Sequence, residues 1–512
     1  MSADYDIAVI GSGFAGSLLA MIARRLGKSV VLLERAKHPR FMIGESTTPL
    51  SNLLLEELAT RYNLPNLLPL CKWGTWRKAY PHVACGLKRG FTFYHHQPGR
   101  RAPADPDRRD QLLVAASPHD AIGDTHWYRA EVDSLFVSEA QKAGVCYLDE
   151  VRLQSASERD DEVRLEATRQ GKPLAVSAPF VVDATGPRGF LHRAFALPEL
   201  PLPDLPPTEA LYTHFTNVRR LDEPGPYPVD DAAVHHIFEG GWIWVLRFSN
   251  GITSAGVAAT SEVAVRLRFS EGAPAWQRLI ERFPTVHSQF AEALPERPFV
   301  HAPRLSFHSG AIAGRRWALL PSAAGFVDPL LSTGFPLTLL GVARLAEIFE
   351  RDLDSSRLSP ALAAYARQTE DELLATARLI GSLYATMADF PVFVSLSLLY
   401  FAAATFSETA RRLGKPHLAG SFLLHDNPAF QARQLLERAR AARTPTESRT
   451  LSDDICPFIE PFNVAGLGDP LRRNWYPAEA EDMLRAAPKL GALRDDVARV
   501  LERCGFHAGT WR

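Results

Sequence analysis

The chain has 512 residues, of which 46% are hydrophobic and 22% charged, so it can bury a large core and about three domains of ~150 residues are expected. The 57 basic and 58 acidic residues give a formal charge of -1, which excludes a general electrostatic attraction to nucleic acid or anionic lipid. The five cysteines have no CxxC spacing, which argues against a disulfide framework or a zinc site and favours a reducing, cytoplasmic location.

Residues 5–34 predict a strand, a glycine-rich turn, a helix and a second strand. The turn has the sequence GSGFAG, whose glycines allow a tight bend and a close approach to a pyrophosphate at the helix N-terminus. Glu34 ends the second strand, where a carboxylate binds ribose hydroxyls. The unit therefore predicts a dinucleotide site, with these candidate residues: Gly11, Gly13, Ala15, Gly16, Glu34 and Arg35.

The rest of the chain predicts an α/β fold in three parts. A loop-rich insertion is expected at about 36–125, followed by a helix ending at Gly144 and short strands that rejoin the first sheet by Asp183. Prolines at 197–207 mark a crossing into a region of mixed β-sheet. We expect a nucleotide-binding domain at 1–190 and 305–350, a substrate-side β-sheet region at 191–304 and a mostly helical C-terminal region at 351–512.

An uncharged run at 390–407 is long enough to cross a membrane. It contains Pro391 and several hydroxyl side chains, so a buried helix is the favoured interpretation. A membrane span and an apolar surface that receives a lipid-like substrate remain alternatives.

Only one dinucleotide fingerprint occurs, and the later segments DATGPRG and AAGFVDPLLSTG have the character of further flavin contacts, so FAD is favoured over NAD. GSGFAG, GESTTP, HWYRAEVDSL, DATG and AAGFVDP together resemble the FAD monooxygenase superfamily with the hydroxybenzoate-hydroxylase-like fold. The resemblance covers about the first 350 residues. It implies further cofactor contacts at Glu45, Ser46, Arg129, Asp183, Gly186, Asp328 and Gly334.

Two features narrow the resemblance to the flavin-dependent halogenases. The segment GWIWVLR is similar to the family signature WxWxIP through Trp242 and Trp244, which implies a passage between flavin and substrate. An aromatic strand face that packs a core is the alternative. Lys88 matches the family's catalytic lysine, and an apolar wall there would lower its pKa. Arg89, beside it, is an alternative contact for a phosphate or carboxylate.

A third feature is the STG turn, whose Thr333 and Gly334 amides the resemblance implies as the chloride or bromide site. Pro321 and Ser322 stand where the family has a Gly-Asp pair, so the resemblance does not imply the contact that this aspartate makes with the flavin ribityl chain. Leu331 stands where halogenases of free tryptophan have a glutamate, so we expect a substrate that is activated by its own ring, a phenol before a pyrrole. The alternative is that Glu45 or Glu239 replaces that glutamate.

Two pairs of adjacent histidines, 95–96 and 235–236, are candidates for chemistry. Neighbours on a strand point to opposite faces, so neither pair suits a metal ion, and no metal is expected. His96 and His236 remain candidate bases within a substrate pocket.

The sequence thus predicts an FADH2-dependent halogenase of secondary metabolism that uses O2 and a halide on an electron-rich aromatic, free or tethered to a carrier protein. A separate reductase would supply the reduced flavin. One alternative is an aromatic monooxygenase or an isoprenoid or lipid reductase of the same superfamily, in which Lys88 and the tryptophans are incidental. Another is a non-catalytic flavoprotein that binds a partner through its helical C-terminal region.

Overall fold

A computed structural model describes residues 3–103, 105, 107–221, 223–442 and 444–506. The strands are β1 (Ala3–Asp4), β2 (Ile7–Ile10), β3 (Val30–Leu33), β4 (Cys85–Lys88), β5 (Gly90–His95), β6 (Gln111–Ala115), β7 (Asp124–Trp127), β8 (Cys146–Leu148), β9 (Val151–Glu158), β10 (Val163–Arg169), β11 (Lys172–Ala178), β12 (Phe180–Asp183), β13 (Thr208–Thr216), β14 (Ala233–Phe238), β15 (Gly241–Arg247), β16 (Thr253–Thr260), β17 (Leu294–Pro295), β18 (Val300–Ala302), β19 (Phe307–His308), β20 (Trp317–Leu319), β21 (Gly325–Phe326) and β22 (Trp475–Tyr476).

The α-helices are α1 (Phe14–Arg25), α2 (Pro49–Arg61), α3 (Trp73–Ala79), α4 (Arg129–Lys142), α5 (Phe190–Ala194), α6 (Ser261–Leu267), α7 (Ala273–Ile280), α8 (Pro284–Phe290), α9 (Pro321–Ala324), α10 (Gly334–Arg351), α11 (Leu358–Thr386), α12 (Phe390–Arg412), α13 (Pro416–Ala419), α14 (Arg433–Ala441), α15 (Pro445–Ile459), α16 (Ala480–Arg485) and α17 (Arg494–Cys504).

A five-stranded parallel sheet in the order β20-β12-β2-β3-β8 forms the N-terminal layer. The segments IAVI, VVLL and FVVD are buried at every position, as expected for parallel strands covered on both faces. Helices α1, α4 and α10 pack around this layer. The strand–turn–helix–strand unit expected at 5–34 is present, and β20 brings the chain back to this sheet within the segment expected at 305–350.

One part of that prediction is wrong, because most strands between 146 and 178 do not rejoin the first sheet. Only β8 does, while β9, β10 and β11 form a separate four-stranded sheet with β1. In β10 buried and half-exposed positions alternate over the first five residues, and in β9 every residue after Val151 is half-exposed or exposed. That pattern suits an antiparallel sheet with one face in solvent.

A second, larger sheet has the order β17-β13-β16-β15-β14-β5-β6-β22, with β18 paired to β13. Its strands β5 and β6 come from 36–125, so the loop-rich insertion predicted there is wrong. That segment also contains α2, whose N-terminus is capped by reciprocal hydrogen bonds between Thr48 and Ser51. The strands there have only four to six residues, which hid them in the sequence. This sheet therefore combines strands from the predicted insertion, the substrate-side region and the C-terminal region.

Helix α12 contains the uncharged run. In the described part of the chain it is the one helix long and apolar enough to cross a membrane, and 83% of its most apolar window is buried within the protein. Phe393 lies 5.9 Å from Phe93 and Phe401 lies 5.2 Å from Phe91, measured between ring centroids. The favoured interpretation, a buried helix, agrees with this packing against the large sheet.

Candidate active site

A cavity of about 1350 Å³ lies between the two main sheets. Most of the site residues expected from the sequence line it: Gly11, Gly13, Ala15, Gly16, Glu34, Arg35, Glu45, Ser46, Arg129, Gly186, Trp242, Trp244, Asp328, Thr333 and Gly334. Lys88 and Asp183 are outside that lining. The structure therefore brings the glycine turn, the tryptophans and the STG turn to one place, with the lysine behind its wall.

The glycine turn closes tightly on the loop after β12. Gly11 has φ +97°, and a Cβ there would lie 2.8 Å from the Ala184 carbonyl oxygen. A Cβ on Gly16 would lie 2.0 Å from the Gly11 oxygen. Gly13 differs, because its Cβ would lie no closer than 3.4 Å to its neighbours, the side chains of Arg129, Arg40 and Asp133, and the residue borders the cavity. Two glycines therefore build the turn, and Gly13 leaves room beside it.

Glu34 lies at the end of β3 and is nearly buried. Its Oε2 accepts hydrogen bonds from the Ser12 backbone N–H at 3.1 Å and the Ser12 hydroxyl at 2.9 Å. Burial alone would raise the pKa of Glu34, but Arg40 and the N–H groups of Ala36 and Ser12 outweigh it and hold the pKa below its usual range. Glu34 is thus an ionised hydrogen-bond acceptor at the cavity wall.

Arg129 begins α4 and makes a two-pronged contact with Asp133, at 2.9 and 3.0 Å. It also donates to the Gly44 carbonyl at 2.9 Å, which fixes the GESTTP segment over the cavity. Asp183 has a different role from the one expected, because it does not line the cavity. Its carboxylate accepts from the N–H groups of Thr185 and Leu191, at 2.8 and 2.6 Å, and so shapes the adjacent loop.

Trp242 is joined to the segment before the STG turn through a buried carboxyl group. Its indole N–H donates to Asp328 Oδ1 at 3.2 Å, and the Tyr384 hydroxyl of α11 donates to Oδ2 at 2.9 Å. Burial raises the pKa of Asp328 to about 7 despite these hydrogen bonds and one from the Leu330 N–H. Trp244 lies beside Trp242, with 5.7 Å between ring centroids.

The STG turn leads directly into α10. Leu331 and Ser332 both have positive φ, +63° and +56°, an unusual pair for residues other than glycine. The Leu331 carbonyl accepts a hydrogen bond of 2.9 Å from the Tyr400 hydroxyl of α12. Thr333 and Gly334 border the cavity, and a Cβ on Gly334 would meet no atom within 4 Å. The turn leaves open space where the sequence predicts the halide.

Lys88 is buried next to the cavity among a group of residues that we call the lysine compartment: Ser46, Thr47, Lys88, Phe91 and Asp124. The amine has no solvent exposure. Its Nζ donates to the Ser46 hydroxyl at 2.9 Å and the Thr47 carbonyl at 2.5 Å, and lies 3.8 Å from the Phe91 ring centroid. Ser46 also lines the cavity, so it forms the shared boundary.

Burial lowers the pKa of Lys88 to about 7, while the nearby carboxylate of Asp124 opposes that change. The neighbouring Arg89 points elsewhere. It pairs with Asp120 at 2.7 Å and donates to the Ser117 carbonyl. Of the two adjacent cations, only Lys88 lies beside the cavity.

The histidines separate into two groups. His235 lines the cavity and stacks on Trp242, whereas His96 and His236 lie off it and hydrogen-bond to each other at 2.9 Å. Burial lowers the pKa of His236 to about 4 and that of His96 well below its usual value. Their predicted role as bases in the pocket therefore disagrees with their position.

Several neighbours of the site carried no signal in the sequence. Asp124 and Asn52 flank Lys88, and Tyr384 and Tyr400 reach the STG segment from helices in the C-terminal region. His214 hydrogen-bonds Glu45 at 2.9 Å, which engages that carboxylate. A register prediction for β4 and β7 would have been needed to find Asp124.

The family model for FAD-dependent oxidoreductases matches residues 6–324, so the chain belongs to this family. Within it, the relatives are flavin-dependent halogenases. The chain is 30% identical to monodechloroaminopyrrolnitrin halogenase PrnC of Pseudomonas fluorescens over 72% of its own length and 66% of that protein. It is 28% identical to tetracycline 7-halogenase of Kitasatospora aureofaciens over 78% of its own length and 73% of that protein.

A solved structure gives the same result. The crystal structure of halogenase PltM in complex with phloroglucinol and FAD is similar with a TM-score of 0.81 and 25% identity, over 92% of this chain and 99% of that one. The expected FAD-dependent oxidoreductase fold with a helical C-terminal region is confirmed, as is the resemblance to halogenases. The choice between phenol and pyrrole stays a prediction.

The cavity fits FAD, the cofactor of this family. Gly13 leaves space beside α1 for a pyrophosphate, Glu34 offers an ionised acceptor for ribose hydroxyls, and Gly334 leaves the start of α10 open. The segment 321–322, where the sequence departs from the family pattern, also lines the cavity as the start of α9.

Proposed function

We propose that the protein halogenates an electron-rich aromatic ring, with a phenolic substrate favoured over a pyrrole. The observation that carries this proposal is the position of Lys88, a buried amine outside the cofactor cavity that shares one boundary residue, Ser46, with it. A monooxygenase that oxidises its substrate at the flavin needs no second site with an amine. A halogenase needs one, because oxidation of the halide and attack on the ring occur at separate places.

In this proposal the cavity residues bind the cofactor through the glycine turn, Glu34 and Arg129. Reduced FAD, with O2, supplies the oxidising equivalent that converts chloride or bromide to hypohalous acid. Thr333 and Gly334 hold the halide with backbone N–H groups at the start of α10. Trp242 and Trp244 fill the large-sheet side of the cavity and exclude the aromatic substrate from the cofactor.

Lys88 then positions hypohalous acid by donating a hydrogen bond from its ammonium group, and the ring attacks the halogen. The ring C–H proton is lost and the hydroxide released from hypohalous acid becomes water, so the products are the aryl halide and water. Ser46 and Thr47 orient the amine for this task.

The identity of the ring follows from Leu331, which is fully buried and apolar. It can neither accept a proton nor stabilise a cationic ring intermediate, so the ring must activate itself, as a phenol with an ionisable hydroxyl group does. The likeness to PltM, whose structure contains phloroglucinol, supports the same choice. We expect negligible activity on free tryptophan.

The reduced flavin comes from a separate reductase in this proposal, and the protein acts in the cytoplasm within secondary metabolism. The substrate is free or tethered to a carrier protein. The five cysteines, all unpaired, fit a reducing compartment.

The test supplies reduced FAD, O2 and either chloride or bromide to phenols, pyrroles, indoles and carrier-bound acids, with mass spectrometry as the readout. Halogenated phenol that disappears when halide is omitted supports the proposal. A hydroxylated product that forms equally without halide would support the monooxygenase alternative instead. Efficient halogenation of free tryptophan would overturn the inference from Leu331.

A further inference from the structure

We propose that Asp124 is a positioning residue that keeps Lys88 in its ammonium form, and that this charge is what holds hypohalous acid in the lysine compartment. The inference rests on the proposed function and deepens it. The relevant observations are the pairing of two strands, a buried carboxylate with a free oxygen, and the groups around the amine.

Asp124 faces Lys88 across the antiparallel pair β4 and β7, in which the two residues are direct partners. Such partners place their side chains on the same face, with Cβ atoms ~5 Å apart. Both residues are buried. Asn52 of α2 donates to Asp124 Oδ1 at 2.7 Å, whereas Oδ2 has no hydrogen-bond partner among the described residues. A buried carboxylate with an unused oxygen is costly unless a cation compensates its charge.

The contacts of the amine fit a cation. A carbonyl oxygen, a hydroxyl oxygen and the face of an aromatic ring surround Lys88 Nζ, and each is an electron-rich group that attracts an ammonium. These neutral groups oppose only part of the cost of burial. Asp124 adds a negative charge when it is ionised, and its effect on the pKa of Lys88 is upward, against the downward effect of burial. Burial raises the pKa of Asp124 itself to about 7, and the Lys88 ammonium opposes that rise.

The other ionisable groups near this pair do not replace Asp124. Burial lowers the pKa of His126 on β7 and of His235 on β14 to about 3, so both are neutral at pH 7. On α12, Glu408 and Arg412 face Asp124 but pair with each other at 2.7 Å, and burial raises the pKa of Tyr400. Asp124 is thus the carboxylate that balances Lys88.

The consequence is a defined alkaline limb in the pH profile of halogenation, set by loss of the Lys88 proton. Asp124→Asn keeps the shape of the side chain and removes its charge, so the pKa of Lys88 falls further. The alkaline limb should move to lower pH by about 1–3 units, the usual effect of removing a nearby opposite charge. Asp124→Glu retains the charge and should keep the limb within about half a unit of wild type.

The experiment measures kcat/KM for halogenation of the best phenol between pH 5 and 10 in wild type, Asp124→Asn and Asp124→Glu, with FAD affinity and melting temperature as checks on folding. An unchanged alkaline limb in Asp124→Asn would overturn the inference, as would an equal shift in Asp124→Glu. If wild type halogenates none of the aromatics, the proposed function fails instead, so the two failures are distinguishable.

A second variant covers the case in which Asp124→Asn does not fold. Asn52→Leu removes the hydrogen bond that favours the Asp124 carboxylate, so it should shift the alkaline limb in the same direction by a smaller amount. In parallel, NMR of 13Cε-labelled lysine follows the nine lysines directly. A Lys88 resonance whose titration midpoint is the same in wild type and Asn52→Leu would contradict the proposal.

Discussion

The cofactor cavity and the lysine compartment are neighbours built by different means. The cavity is large, and backbone geometry defines much of it: the glycine turn and the start of α10 leave space because side chains are absent there. The lysine compartment is buried, and residues from β4, β5, β7 and the segment just before α2 define it. Cofactor binding therefore depends on local turns, whereas the position of the amine depends on packing between segments that are far apart in the sequence.

The strongest separation of the two regions should come from Lys88→Met, which keeps most of the side-chain volume and removes the amine. Halogenation should fall by about 10²–10⁴-fold, the range for one positioned acid–base group, while FAD affinity stays unchanged. Lys78→Met, on the exposed part of α3, is the matched control and should behave as wild type. Retained halogenation in Lys88→Met would remove the lysine from the mechanism. Lys88→Arg should not restore activity, because a planar guanidinium differs in shape and hydrogen-bond geometry.

Gly13→Val should weaken FAD binding, in contrast to Lys88→Met. Gly13 has φ -65° and the new Cβ would lie 3.4 Å or more from its neighbours, the side chains of Arg129, Arg40 and Asp133, so the protein should fold. The branched side chain nevertheless occupies space beside the pyrophosphate. FAD affinity should fall at least about tenfold, equal to 1.4 kcal/mol, by fluorescence titration. Gly16→Val is the contrasting variant and should fail to fold, because its Cβ would lie 2.0 Å from a backbone oxygen. Wild-type FAD affinity in Gly13→Val would mean that the cofactor lies elsewhere.

Trp242→Phe tests the wall of the cavity that faces the large sheet. The change leaves the buried Asp328 without one of its donors, so the free energy of unfolding should drop by about 1–3 kcal/mol beyond the loss from reduced packing. Trp276→Phe supplies the packing control, since the Trp276 indole N–H, also buried, has no acceptor in the described part of the chain. Equal losses in the two variants, measured by denaturant unfolding, would show that the hydrogen bond to Asp328 contributes nothing.

NADPH alone should have no effect on the flavin. Because the sequence carries a single dinucleotide fingerprint, mixing the protein, FAD and NADPH without a reductase should leave the flavin absorbance unchanged. Adding an unrelated flavin reductase provides the positive control and should bleach the flavin. Rapid bleaching by NADPH alone would reveal a nicotinamide site in or near the cavity. It would contradict the proposal that a separate reductase supplies the reduced flavin.

Sequence reasoning located the cofactor cavity because its signals are local. Gly11, Gly13 and Gly16 lie in one turn, and Glu34 follows at the end of the next strand, so neighbouring residues specify the geometry. Lys88 was found through a family resemblance, but Asp124 was not, since its place opposite the lysine depends on the register of two strands far apart in the chain.

The missed strands have a related cause. β4 to β7 are short. β5 and β6 are stabilised by the large sheet and by α12, whose phenylalanines cover Phe91 and Phe93, whereas β4 and β7 form a separate two-stranded sheet. The hydrogen bonds of Tyr384 and Tyr400 to the STG segment are hidden in the same way within long apolar helices. No property of these residues taken alone identifies their partners.

The pairing of β22 with β6 ties the late part of the chain to the large sheet. Trp475 and Tyr476 add a parallel strand to the edge of a sheet whose other strands come from the first 302 residues, and Arg108 stacks on the Trp475 ring. A variant truncated before Trp475 would therefore leave the outer edge of β6 without its partner strand and expose unpaired backbone N–H and C=O groups there.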